Sequence, residues 1–90
     1  MKHYTFTLEL FTGNYTPNFD TIEYRAKNII RDRAMEEARN GKLLFTENEM
    51  TDLLFEAYRI AGLQNTESMV NQKMWFAIKE KWIMEVHIDS

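Results

Sequence analysis

Two histidines, His3 and His87, are the chain's only imidazoles, and each falls on the polar side of an alternating segment. Glu85 and Asp89 stand two residues to either side of His87. If the two segments paired antiparallel, these ends would meet, and two imidazoles with a carboxylate can ligate Zn or Ni. No spacing here is diagnostic of a metal, however, and polar residues on a solvated strand face need no ligand. The expectation is no metal and no cofactor.

Other reactive arrangements are missing from the sequence. There is no cysteine, which excludes a disulfide scaffold, a thiolate zinc site, an iron–sulfur site and a cysteine nucleophile. The three glycines, at 13, 41 and 62, sit in turn or helix-end contexts and form no phosphate-binding loop. HExxH, EF-hand and G-x-S-x-G patterns do not occur. The serines are Ser68 and Ser90, and nothing ties either to a histidine. The carboxylates Glu23, Glu47, Glu49 and Glu67 fall in first helical turns, where they favour the positive helix terminus rather than acid–base chemistry. An enzyme is not expected.

Aromatic side chains carry the better signal. Phe55 lies off the main apolar stripe of its helix and Phe76 off that of the next, which Trp75 flanks. Surplus aromatics imply a helix buried on two sides or an exposed binding patch. Phe55, Trp75 and Phe76 are therefore the candidate anchors of a protein interface, with Glu47, Glu49, Asp52 and Glu56 as an acidic rim. The expected function is a small regulatory or inhibitory protein that binds another protein. Its size suits the short inhibitors carried by phages and mobile elements.

The alternative is nucleic-acid binding. Residues 25–39 concentrate basic side chains, with Arg25, Lys27 and Arg31 as candidate phosphate contacts. The hairpin 46–79 resembles a helix-turn-helix in its short turn, with Gln72 and Lys73 directed outward. Against this reading, Glu23, Asp32, Glu36 and Glu37 interleave the basic residues. The overall charge is also unsuited to a duplex binder. Residues 1–45 hold seven basic and six acidic groups (+1), and residues 46–90 hold four and eight (−4), giving −3 in total.

Five elements must position these residues. HYTFTLELF (3–11) alternates and reads as a strand with Tyr4, Phe6, Leu8 and Leu10 on one face. Residues 12–19 read as a loop. A helix over 20–40 should begin at Asp20, with Glu23 completing a capping box and Phe19 and Tyr24 forming a hydrophobic staple. Its stripe is Ile22, Ala26, Ile29, Ile30, Ala34 and Ala38. Residues 42–45 are a short extended segment or a plain loop. A second helix over 46–61 has Thr46 and Glu49 as capping box, Phe45 and Met50 as staple, and Gly62 as its end. A third over 65–79 is capped by Asn65 or Thr66. A strand over 82–88 places Trp82, Met84, Val86 and Ile88 on one face and Ile83, Glu85 and His87 on the other.

The fold class is α+β, ordered β-α-α-α-β, with the terminal strands paired antiparallel under three helices. Ninety residues, 44% of them apolar, make one domain. Two strands make a marginal sheet, and the terminal strand is apolar and without proline. A homodimer that completes a four-stranded sheet is the expected remedy. No apolar run approaches a membrane span and no leader is visible, so no membrane partner is expected and the location is cytoplasmic.

Overall fold

The computed structural model describes residues 2–12 and 21–88. Its elements are β1 (Lys2–Phe6), α1 (Glu9–Thr12), α2 (Ile22–Arg39), β2 (Phe45–Thr46), α3 (Glu47–Ala61), α4 (Thr66–Lys79) and β3 (Ile83–His87). The strands form an antiparallel sheet ordered β2-β1-β3, and the architecture is α+β.

The helix α3 forms where its sequence is least ambiguous. The Glu49 N–H donates to Thr46 Oγ1 at 3.1 Å, and the Thr46 N–H donates back to Glu49 Oε1 at 2.9 Å. This reciprocal box satisfies two backbone donors that the first helical turn leaves open. Phe45 and Met50, the staple pair, are both buried, as are Leu53, Leu54, Ala57, Tyr58 and Ala61. Each large apolar side chain so buried contributes about 1.5–3 kcal/mol. Gly62 ends the helix at φ 106°. Its N–H donates to Arg59 O and that of Leu63 to Tyr58 O, which is a Schellman closure.

In α2 the cap is Thr21, not Asp20: the Tyr24 N–H donates to Thr21 Oγ1 at 3.2 Å. Asp20 and the Phe19 half of the expected staple lie outside the described residues, as does the loop expected over 13–19. The Glu23 carboxylate accepts from Lys73 on α4. Ala26, Ile30 and Ala34 are buried and Ile22 and Ile29 pack against the core, but Ala38 is exposed.

The N-cap of helix α4 is Asn65, whose side chain makes no cap hydrogen bond. It ends without a glycine. Lys81 takes the left-handed conformation at φ 64°, with Lys81 N–H to Ile78 O and Trp82 N–H to Ala77 O. A side chain in that region costs about 1 kcal/mol relative to glycine. Lys81→Gly is therefore expected to stabilise the fold by up to about 1 kcal/mol, raising Tm by several degrees in a thermal melt. An unchanged or lower Tm would show that the lysine is unstrained there.

The sheet corrects the expected strands in three ways. The first strand stops at Phe6 instead of running to residue 11. Its register with β3 pairs Phe6 with Ile83, and Thr7 N–H then donates to Trp82 O. Beyond that point β3 supplies no partner, so a longer strand would leave backbone groups unpaired. The chain coils instead, and the Phe11 and Thr12 N–H groups return to Leu8 O. Leu10 becomes buried in α1 while Leu8 is left 78% exposed.

Of the segment 42–45, open between strand and loop in the sequence, 42–44 carry no strand and only Phe45 enters β2, which continues to Thr46, with Tyr4 opposite Phe45. One chain thus makes three strands, with β1 central, and the two-stranded sheet inferred above does not occur. The face of β3 is also opposite to the one expected. Ile83, Glu85 and His87 share a face with Phe6, Tyr4 and Lys2, through their registers, and Ile83 is buried. Met84, on the other face, is 51% exposed. Trp82 is buried because it packs at the end of α4, before the strand begins. The antiparallel pairing of the terminal strands is as expected. The core lies between the inner face of the sheet and α2, α3 and α4, and includes an edge-on ring contact of Phe6 with Phe45 at 5.2 Å.

Candidate functional site

The candidate anchors separate once placed. Trp75 is 64% exposed on the outer face of α4. Asn71, Gln72 and Lys79, three or four residues away along the helix, are exposed on the same side. Lys79 Nζ sits 5.4 Å from the centre of the Trp75 ring, a cation–π contact at a surface site. Phe76 faces the other way. It packs against the core, edge-on to Trp82 at 5.5 Å. Phe55 is half-buried and lines a separate shallow depression with Asn65, Thr66, Glu67 and Ser68. Trp75 remains as the exposed aromatic among the three, in a depression lined by Asn71, Gln72, Lys73 and Phe76.

The acidic rim is partly assembled. Glu49, Asp52 and Glu56 line a groove of about 380 Å³ between α2 and α3, facing Arg33, Glu37 and Lys42. Glu47 is exposed at the start of α3 and does not line it. Two of the acids are already engaged. Glu49 accepts from Lys42 Nζ and from the Thr46 N–H, which together hold its carboxyl down at about 2. Arg59 hydrogen-bonds Glu56 and lowers its carboxyl likewise. A group whose pKa falls on folding contributes stability above its unfolded value and loses it as pH falls toward the folded one. The Glu49 contribution is thus present above about pH 4.5 and lost on descent toward about pH 2. Glu49→Gln should flatten part of the acid limb of a Tm–pH profile in that window. A profile parallel to the wild type would exclude this role.

Several residues of the nucleic-acid alternative are engaged within the fold. Lys27 is 7% exposed, and its Nζ lies 5.8 Å from the Trp82 ring centre. Burial, then repulsion from Arg31, pushes its ammonium below the ordinary lysine value. Lys73 turns inward instead of outward. Its Nζ donates to Glu23 Oε1 at 2.8 Å and lies over the Tyr58 and Phe76 rings. Partial burial works to raise the Glu23 carboxyl, but hydrogen bonding from Lys73 and the backbone outweighs it and the net shift is downward. Arg25 Nε donates to Ala61 O at 3.0 Å, which satisfies a carbonyl at the end of α3. Arg31 donates to Asn28 Oδ1 at 2.8 Å. Gln72 is exposed.

The histidines take positions across the sheet that do not unite them. His3 is opposite Val86 and His87 is opposite Lys2, so the two rings project from opposite faces. Glu85 lies 3.5 Å from Lys2 Nζ and 3.9 Å from His87 Nε2. Among the described residues, no three His, Asp or Glu side chains gather closely enough to hold a metal ion. No helix among them is long and apolar enough to cross a membrane.

Two features escaped the sequence reading. The Trp75–Lys79 contact was available as a four-residue spacing on one helix. The exposed Met84 was not, because it depends on which face of β3 meets the core. Comparison with known proteins adds no kinship to this geometry: neither a family model, nor a curated protein, nor a solved structure matches the chain.

Proposed function

We propose that this chain is a non-enzymatic interaction protein, regulatory or inhibitory in effect, that acts by binding another protein through the outer face of α4. The supporting observation is Trp75, whose ring stays 64% exposed among the polar residues Asn71, Gln72 and Lys79. A tryptophan so placed adds little to folding, whereas buried in a partner it is the residue type most enriched in interface hot spots. With Lys79 over the ring, the matching surface is an apolar slot edged by carboxylate. The length of 90 residues fits an inhibitor of the phage or mobile-element type. A second copy of the chain is a further partner, joined at the edge of β3 that is unpaired among the described residues, to give a homodimer.

Photo-crosslinking from position 72 in the native host would recover the partner. On that partner, Trp75→Ala is expected to weaken binding by at least about thirtyfold while leaving stability within about 0.5 kcal/mol. Unchanged affinity would sink the reading, and a large loss of Tm would make Trp75 structural. A steep salt dependence of duplex DNA binding, removed by Arg25→Glu and Arg31→Glu, would favour the nucleic-acid alternative instead.

A further inference from the structure

We infer that two copies of this chain pair through β3 about a two-fold axis at Val86, so that Glu85 of each copy faces His87 of the other. The inference deepens the self-association proposed above and rests on it.

Within the described residues β3 is an edge strand, paired on one side with β1. The Thr7 N–H donates to Trp82 O, which makes Thr7 and Trp82 a hydrogen-bonded pair. In an antiparallel ladder such pairs alternate with non-hydrogen-bonded ones. Met84 and Val86 therefore turn their backbone groups toward β1. Ile83, Glu85 and His87 turn theirs toward the open edge. A strand added there must bond through those three residues, which restricts a two-fold copy to a few registers.

Charge separates the registers. An axis at Glu85 sets two carboxylates directly opposite each other, which is destabilising. An axis at Met84 sets Glu85 against Ile83 and leaves the carboxylate opposite an apolar side chain. An axis at Val86 sets Glu85 against His87 twice. A neutral or a charged imidazole can donate an N–H to a carboxylate, so the pair does not depend on one protonation state. Lys2, 3.5 Å from Glu85 within the same copy, adds a cation beside each pair. On the outer face the same register aligns Val86 with Val86 and Met84 with Ile88. That would cover Met84, which is 51% exposed in one chain. The other registers offer no comparable match on both faces.

The chain has no native cysteine, so single cysteines report the register cleanly. Opposed residues of a non-hydrogen-bonded pair lie about 4.5 Å apart at Cα, within the roughly 4.4–6.8 Å span of a disulfide. Under mild oxidation Val86→Cys should dimerise at least about tenfold faster than Met84→Cys or Glu85→Cys. In sedimentation equilibrium the cysteine-free chain should show a reversible monomer–dimer equilibrium, and Glu85→Lys should weaken it about tenfold. Dimerisation with fastest crosslinking at 84 or 85 would overturn the register and leave the self-association standing. A monomer at about 100 μM with equal crosslinking at all three positions would overturn both.

Discussion

Trp82→Ala is expected to cost about 3–5 kcal/mol of folding stability. The ring is 2% exposed and sits edge-on to Phe76 with an interplanar angle of 83°. Lys27 reaches over it from α2. The backbone of Trp82 closes α4 through Ala77 O and receives the Thr7 N–H, so this one residue joins a helix end to the central strand. Alanine keeps both backbone bonds and deletes the ring. It leaves a cavity beside Phe76 and removes the aromatic face under a partly desolvated ammonium. Domains of this size are stable by about 5–15 kcal/mol in total, so the variant would lie near the edge of folding. Urea denaturation followed by far-ultraviolet circular dichroism should show a large fall in midpoint with an unchanged slope. A midpoint within error of the wild type would mean that the ring is not a core residue.

The second large effect is expected at Leu10, with Leu8 as its control. Leu10 is 0% exposed and Leu8 is 78% exposed, although the two stand on the same side of the alternating pattern. Leu10→Ala should cost about 2–5 kcal/mol, and Leu8→Ala should stay within about 0.5 kcal/mol. A strand running through residue 11 would bury both and make the two losses similar. The difference between the two urea midpoints therefore tests the helical turn of α1 directly, and equal losses would restore the long strand.

That pair also shows where the sequence was legible. The α3 signals were complete and mutually consistent: box, staple, stripe and left-handed end all lay within eighteen residues, and each is present in the structure. Strand length was not legible, because it depends on where the partner strand ends. Period-two alternation continues past Phe6, but the register stops supplying hydrogen bonds there. The two-residue strand β2 is too short to carry a period. The side of β3 that meets the core turned on Lys81, a lysine in a conformation that usually announces itself as glycine.

The candidate site divided in the same way. Trp75 was legible only as an aromatic flanking its helix's stripe, while Phe76, placed off that stripe, packs against the core. The inward turns of Phe76 and Lys73 were not, since both depend on Trp82, Tyr58 and Glu23 arriving from other elements. Lys27 reads from its charge as a candidate phosphate contact, yet its long apolar stem suits it to packing beside an indole.

The position of β1 between β2 and β3 has a consequence in time. The strand is synthesised before every other described element, but its longer ladder is made with the element synthesised last. Until Ile83–His87 emerges, Tyr4 and Phe6 belong to a strand with one edge unpaired and a two-residue neighbour on the other. Such long-range closure carries a loop-entropy cost before any contact repays it, and it slows folding relative to the local hairpin of α3 and α4. The helices can assemble first, and the sheet then becomes the latch that closes over them.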